Sequence, residues 1–164
     1  MRKIPHPPES DLVVAYPRRA NASEHEIASQ EAMAARLAAL LGRRFKPDYR
    51  PSRHRDEPPP YYVPDRTLIG VVRAARLGIT RAADLYGGVA PHSFVAGKSI
   101  THGLAGPHAK APKAWVASLG DTLRDVVLTG YTAFTPQDAE AAGLLLLKRG
   151  RLRIKPADAT AGRG

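Results

Sequence analysis

The feature that most constrains the fold is a short apolar run followed closely by a helix start. Residues 12–16 are all apolar and end at Pro17, a run long enough for a buried strand and too short for a helix that buries one face. Ser23 and Glu26 then match a capping box, in which the serine hydroxyl accepts from the Glu26 backbone N–H and the carboxylate reaches back. We predict a strand at residues 12–16 and a helix that begins at Ser23 and ends at Gly42. The apolar side of this helix is predicted from residues at helical spacing: Ile27, Met33 or Ala34, Leu37, Leu40 and Leu41.

A second strand and a second helix are predicted in the same order further along the chain. Residues 61–63 indicate a short strand, and Asp65 can cap a helix that ends at Gly78. The alternation of strands with helices indicates a small parallel α/β unit with a right-handed crossover. The apolar positions of the second helix are predicted to be Leu68, Ile69, Val72 and Ala75.

The second half of the chain is predicted to be less regular. Residues 85–112 are rich in glycine, histidine and proline, so we expect loops there, and loops often carry function. Beyond them we predict a short helix at residues 118–128, a strand at 131–134, and a helix from Pro136 to about residue 149, capped by Thr135. Residues 151–155 alternate strictly between polar and apolar, which predicts a final strand with Leu152 and Ile154 on one face.

The charge balance favours anionic partners. The 164 residues include 25 Lys and Arg against 15 Asp and Glu, a formal net charge of +10. Arginines interleaved with aromatic rings suit single-stranded nucleic acid, so a basic nucleic-acid-binding module is one alternative function. The residues concerned are Arg43, Arg44, Arg50, Arg53 and Arg55, with Phe45, Tyr49, Tyr61 and Tyr62.

Composition also narrows the class of protein and its location. The chain has no cysteine, which excludes a disulfide framework and a thiolate metal site. His92, His102 and His108 are spaced unlike any short set of metal ligands. No apolar stretch approaches the roughly 20 residues that a membrane span needs. We expect no targeting signal, no membrane partner and a cytoplasmic location.

The sequence around Lys98 resembles a phosphate-binding loop without completing the pattern. A P-loop would need a glycine at position 92, where the chain has His92. A serine-hydrolase elbow around Ser99 fails as well, because Thr101 stands where a glycine is required. What remains is a lysine that follows Gly97, where the ammonium group and backbone N–H groups could both face an anion. An ordinary solvated lysine is the alternative.

The C-terminal segment has the components of an anion cradle. Lys155 ends the polar face of the predicted last strand, and Gly162, Arg163 and Gly164 follow after a short loop. Glycine lets backbone N–H groups approach a phosphate closely, and the lysine adds a point charge. A basic tail without a ligand is the alternative interpretation.

Several segments together resemble a bacterial family, often labelled biotin-carboxylase-like, that is related to ATP-grasp ligases. The most distinctive match is residues 91–102, and residues 61–68, 77–89, 127–134, 153–155 and 162–164 extend the resemblance over most of residues 11–164. It implies a flexible N-terminus at residues 1–10 and a small Rossmann-like pre-ATP-grasp domain at residues 11–90. Residues 91–164 would then be a partial, incomplete ATP-grasp nucleotide-binding subdomain of the α+β type.

The resemblance also assigns a ligand and the residues that bind it. ATP-grasp enzymes contact the phosphates of ATP with two lysines, whose places Lys98 and Lys155 match, and Gly162 and Gly164 match the glycine-rich lid. The implied activity is that of a ligase which phosphorylates a carboxylate with ATP so that a nucleophile can displace the phosphate.

This chain also departs from the family pattern. Ala161 stands where the lid usually has glycine, and the adenine hinge and the magnesium ligands cannot be assigned. The resemblance therefore implies the N-terminal, truncated portion of such a ligase, with magnesium expected only in the intact enzyme and no turnover by this portion alone. A non-catalytic interaction or regulatory remnant is the further alternative, besides the nucleic-acid-binding module.

Overall fold

A computed structural model describes residues 10–54 and 57–157 of the chain. The chain divides between His92 and Ser93 into two compact units. The predicted N-terminal segment therefore lies outside the described residues, apart from Ser10, whose side-chain oxygen accepts from the backbone N–H of Leu12 at 3.2 Å. The predicted domain types at residues 11–90 and 91–164 stay predictions.

The first unit contains two small parallel sheets. Strands β1 (Leu12–Val14), β2 (Arg44–Phe45) and β3 (Tyr61–Tyr62) form one sheet in the order β2-β1-β3. Strands β4 (Leu68–Ile69) and β5 (Val89–Ala90) form the other sheet. Both pairs of the first sheet are parallel, so the predicted mixed α/β architecture with parallel strands is confirmed.

Helix α1 (Glu24–Leu41) has the predicted ends. Ser23 and Glu26 form the capping box, and Gly42 takes the left-handed conformation at φ 65°. The predicted apolar side is wrong at its ends, because Leu40 is 82% exposed and the buried positions are Gln30, Ala34 and Ala38. Alanine lets the helix pack closely on β1, where Val13 is fully buried in the same cluster. Ala34 and Ala38 together with Leu37, rather than Leu40 and Leu41, therefore form the contact face.

The predicted second helix begins later than expected. Leu68 and Ile69 form β4, and α2 spans only Val71–Arg76. Gly70 separates the two elements with φ 94°, a left-handed conformation that other residues rarely adopt. Asp65 does not cap the helix, because its carboxylate accepts from the backbone N–H of Arg19 at 3.1 Å. The predicted stop at Gly78 is confirmed by its φ of 76°.

In its described part, residues 93–157, the second unit contains two 3₁₀ turns, Ser93–Ala96 and Lys98–Thr101, and helices α3 (Ser118–Thr122) and α4 (Pro136–Leu147). Helix α4 begins as predicted, since the Thr135 side chain accepts from the backbone N–H of Asp138. The predicted helix at residues 118–128 is cut to five residues, and the predicted strand at 131–134 is reduced to one parallel bridge between Leu104 and Thr132.

The predicted last strand, residues 151–155, is wrong, because this segment has no regular secondary structure. Leu152 is half-buried, whereas Ile154 is 74% exposed, so the two do not share a buried face. Polar and apolar residues do alternate in this segment, but a strand also needs a neighbouring strand to pair with. Within residues 10–54 and 57–157 no segment pairs with residues 151–155.

Among the helices of the described residues, none combines the length and the apolar character needed to cross a bilayer.

Candidate anion-binding site around Lys98

The candidate site is centred on the 3₁₀ turn that begins at Lys98. Gly97 precedes the turn in an extended conformation, and the Lys98 side chain is exposed. Ser99 is 5% exposed, so the turn is anchored by a buried neighbour of the lysine. Phe94, in the preceding turn, is also buried at 6%. The lysine thus stands at the surface of a turn in which Ser99 is buried.

The turn is held from one side by the C-terminal segment. The backbone N–H of Lys98 donates to the carbonyl oxygen of Ala157 at 3.3 Å. A Cβ atom at Gly97 would lie 3.3 Å from the same oxygen, tighter than most van der Waals contacts. Glycine therefore permits the approach, and the chain just beyond Lys155 lies against the Lys98 turn.

The turn is held from a second side by residues 128–132. The Thr132 hydroxyl donates to the carbonyl oxygen of Ser99 at 2.7 Å, and the Thr132 backbone N–H donates to the carbonyl of Gly103 at 2.9 Å. One threonine therefore fixes the backbone at both ends of residues 99–103. Hydrogen bonds from two separate segments hold the backbone of this turn in one position.

His102 adds a third connection to the same segment. Its Nε2 lies 2.9 Å from the carbonyl oxygen of Leu128, and its Nδ1 lies 2.7 Å from the Thr101 hydroxyl. Nε2 must carry a proton, since a carbonyl can only accept. The Thr101 hydroxyl also donates to the carbonyl oxygen of Lys98 at 2.7 Å. His102 thus links the Lys98 turn to Leu128 through its ring.

Gly130 makes room for this histidine. A Cβ atom at Gly130 would lie 2.7 Å from Cδ2 and 2.8 Å from Nε2 of His102, distances that a side chain cannot hold. Sequence reasoning singled out His102 as a loop histidine, but it missed Gly130 and Thr132 as parts of the site. A glycine or a threonine in a loop gives no sign of which residue it will face.

An aromatic cluster packs beside the turn in the same unit. Trp115 lies between Phe94 and Phe134, with ring centroids 5.4 Å and 5.2 Å apart and edge-to-face geometry. Such pairs favour close packing of large side chains. The buried indole Nε1 has no hydrogen-bond partner among the described residues. Phe94 belongs to the 3₁₀ turn just before Gly97, so the aromatic cluster lies next to the Lys98 turn.

Two of the four residues predicted to bind ATP lie among the described residues. Lys98 and Lys155 are both exposed and both lie in the second unit. The contact between Lys98 and Ala157 brings the two backbones together within two residues of Lys155. The Lys98 backbone N–H, which the sequence left open to an anion, donates to Ala157 instead. Gly162 and Gly164 lie outside the described residues.

The aromatic residues predicted to stack on nucleic acid belong instead to the core of the first unit. Tyr62 is 2% exposed, and its hydroxyl donates to the carbonyl of Leu77 at 2.8 Å. Burial raises the pKa of the Tyr62 hydroxyl well above its ordinary value. Tyr16 and Tyr49 pack edge-to-face with centroids 5.8 Å apart, and both pack against Tyr62. A buried ring cannot stack on a base.

Two of the arginines predicted to contact nucleic acid interact with neighbouring side chains of the first unit. Arg44 donates to the Asp11 carboxylate at 2.7 Å and 3.1 Å, and these hydrogen bonds hold the pKa of Asp11 below its ordinary value. The Arg43 guanidinium lies 5.9 Å from the centre of the Tyr61 ring. Arg55 lies outside the described residues. Arg50 and Arg53 are exposed, whereas Phe45, Tyr49 and Tyr61 are only partly exposed.

The three loop histidines do not gather into a metal site. Within residues 10–54 and 57–157, no group of three His, Cys, Asp or Glu residues is arranged to hold a metal ion. Both ring nitrogens of His102 already face protein oxygens.

The fold and the site define a class of protein: mixed α/β with small parallel sheets and an exposed lysine on a turn fixed from two sides. The chain belongs to the family described as Protein of unknown function (DUF3182), whose family model matches residues 13–164. Comparison with curated proteins gives no match, and neither does comparison with solved structures.

Proposed function

We propose that the second unit binds the phosphate groups of ATP through Lys98 and Lys155, as part of an ATP-grasp-type, biotin-carboxylase-like ligase that activates a carboxylate. The first unit would then be the Rossmann-like pre-ATP-grasp domain, and Gly162 and Gly164 would belong to the lid. The proposal concerns nucleotide binding, and it assigns no turnover to these residues alone.

One observation carries the proposal more than any other. The hydrogen bond from the Lys98 N–H to Ala157 joins two segments that are almost 60 residues apart in the chain, and it does so two residues beyond Lys155. Two residues of extended chain span at most about 7 Å. The span from Lys155 to Ala157 is therefore shorter than the combined length of two lysine side chains, so one polyphosphate can contact both ammonium groups.

Exposure and local charge also support the proposal. Both lysines are exposed, and the exposed cations Lys148, Arg149, Arg151 and Arg153 precede Lys155 in the chain. Ammonium groups bind phosphate oxygens through charge-assisted hydrogen bonds, which are roughly twice as strong as neutral ones. The backbone of the Lys98 turn is held by Thr132, His102 and Ala157, so little conformational freedom is lost when a ligand binds.

The test is isothermal titration of the full chain with ATP in the presence of magnesium and, separately, with inorganic triphosphate. Lys98→Gln and Lys155→Gln should each weaken ATP binding by about tenfold, the worth of one charge-assisted hydrogen bond. Lys113→Gln is the matched control, since Lys113 is an exposed lysine of the same unit. ATP should bind more tightly than triphosphate, because the nucleoside adds contacts.

Two results would contradict the proposal. The first is a chain that binds neither ATP nor triphosphate at millimolar concentration. The second is ATP binding that both lysine variants leave unchanged.

A further inference from the structure

The last turn of α4 exposes a cluster of leucines. Leu144 is 59% exposed, Leu145 is 40% exposed and Leu147 is 56% exposed. At 100° per residue these three side chains cover an arc of about 160° on one side of the helix. Ala142, which is 6% exposed, lies on the opposite side and faces the unit. The leucines therefore point away from the core, which is an unusual position for three adjacent large aliphatic residues.

The chain that follows α4 returns along the helix. Gly150 turns it with φ 140°, and the Leu152 Cδ2 atom lies 3.8 Å from the position that a Cβ atom would take on Gly143. Leu152 is half-buried by this contact, while Arg151 and Arg153 on either side of it are exposed. The arginines are therefore held close to the last two turns of the helix.

This return places a strong positive charge beside the leucines. Lys148, Arg149, Arg151 and Arg153 are all exposed, and none forms an ion pair with another residue of the described part. We call these four cations, together with Leu144, Leu145 and Leu147, the basic–leucine patch. Ile154, 74% exposed, lies next to it in the chain.

We propose that the basic–leucine patch docks on an anionic lipid surface. Clustered cations are attracted to acidic headgroups, and exposed aliphatic side chains can insert at the boundary with the acyl chains. Peripheral docking needs no spanning helix, so the proposal is compatible with the absence of one among the described residues, although the sequence led us to expect no membrane partner.

Composition favours a lipid surface over a nucleic acid as the occupant. Proteins that bind single strands combine cations with aromatic rings on which bases stack, and residues 135–157 contain no aromatic residue. The patch instead combines cations with aliphatic side chains, which have nothing to contact on a sugar–phosphate backbone.

The test is co-sedimentation of the full chain with vesicles of phosphatidylcholine alone and of an equal mixture with phosphatidylglycerol, at low and at high salt. We expect binding only to the mixed vesicles and its loss at high salt. Arg151→Glu with Arg153→Glu should lower the partition coefficient at least about tenfold. Leu144→Gln with Leu147→Gln should lower it several-fold at unchanged charge. Lys155 stays unchanged in all variants, so that ATP binding can be measured independently.

The matched control is Arg73→Glu with Arg76→Glu, which makes the same charge change on the exposed side of α2 and should leave vesicle binding within twofold of the wild type. Circular dichroism checks that each variant folds. Equal binding to both kinds of vesicle, no binding to either, or full binding by the leucine variant would overturn the proposal. Tighter binding to single-stranded RNA than to the mixed vesicles, unaffected by the leucine changes, would overturn it in favour of a nucleic acid.

Discussion

The side-chain amide of Gln30 donates a hydrogen bond of 2.8 Å to the backbone carbonyl of Val63. The same nitrogen lies 3.2 Å from the carbonyl of Pro17, and the Gln30 oxygen accepts from Arg18 at 2.7 Å. Val63 follows β3 and Pro17 lies beyond β1, so one buried glutamine on α1 joins the carboxyl ends of two neighbouring strands. Gln30 is 7% exposed, and its hydrogen bonds add to the backbone hydrogen bond from Asp65 to Pro17.

Gln30→Leu should destabilise the protein by about 1–3 kcal/mol, because leucine removes the side-chain donor to the buried Val63 carbonyl and one of the two donors to the Pro17 carbonyl, which also accepts from the Asp65 N–H. The measurement is urea unfolding followed by far-ultraviolet circular dichroism. Gln137→Leu, the same change at an exposed position of α4, is the control and should shift stability by no more than about 0.5 kcal/mol. Equal effects of the two changes would mean that the Gln30 hydrogen bonds contribute nothing.

Gly130→Ala should destabilise the second unit by roughly 1–3 kcal/mol, because the new methyl group collides with the His102 ring, which hydrogen bonds hold in place. The measurement is again urea unfolding. The double variant Gly130→Ala with His102→Ala should lose less stability than the sum of the two single changes, since removing the ring removes the collision. Gly106→Ala, at a glycine with open space around it, is the control. Strict additivity of the two changes would argue against the collision.

Asp84→Asn should cost stability at neutral pH and nothing in strong acid. Burial works to raise the pKa of Asp84, but hydrogen bonds from the backbone N–H groups of Thr80 and Arg81 and from the Arg81 side chain hold it below 3.8. A lowered folded-state pKa stabilises the protein above the unfolded value, and this contribution is lost as the pH falls through the folded-state value. The free energy of unfolding of the wild type should therefore exceed that of the variant by about 1–2 kcal/mol at pH 7.

The measurement for Asp84 is the unfolding free energy of both proteins from pH 7 to pH 2. Their difference should be constant down to about pH 4 and then shrink. Asp125→Asn, at an exposed position, should give a small difference at every pH. A difference that grows on acidification would have the wrong sign for this explanation.

Gly97→Ala tests the link between the Lys98 turn and the C-terminal segment. The added methyl group would press on the Ala157 carbonyl and move Lys155 relative to Lys98. If the two lysines share one polyphosphate, ATP affinity should fall several-fold while the unfolding free energy changes by less than about 1 kcal/mol. Titration calorimetry and urea unfolding of the same sample provide both values. Gly106→Ala should leave ATP binding unchanged.

Local sequence signals predicted the elements whose ends are fixed by their own residues. The capping box of Ser23 and Glu26, the left-handed Gly42 and the Thr135 cap of α4 are all present, because each is a contact between near neighbours in the chain. The apolar run at residues 12–16 became β1 in the centre of its sheet, since a short run of that kind is stable only when buried on both faces.

The strands that the sequence did not predict depend on pairing with residues that are distant in the chain. Strand β2 has only two residues, Arg44 and Phe45, and it forms because they pair with β1. Leu68 and Ile69 fitted a helical pattern, but they pair with Val89 and Ala90 instead. For the site, the sequence identified Lys98 as an exposed cation on a turn. Its anchors, Thr132 and His102, could not be predicted, because only the folded chain shows which loop faces which.

The position of Trp115 has a practical consequence. It is the chain's single tryptophan, and it lies between two phenylalanines of the second unit, whereas five of the six tyrosines belong to the first unit. Fluorescence of the Trp115 indole, excited at wavelengths that tyrosine does not absorb, therefore reports on the second unit alone. Phenolic absorbance reports mainly on the other half, so the order in which the two halves melt can be followed without attaching any label.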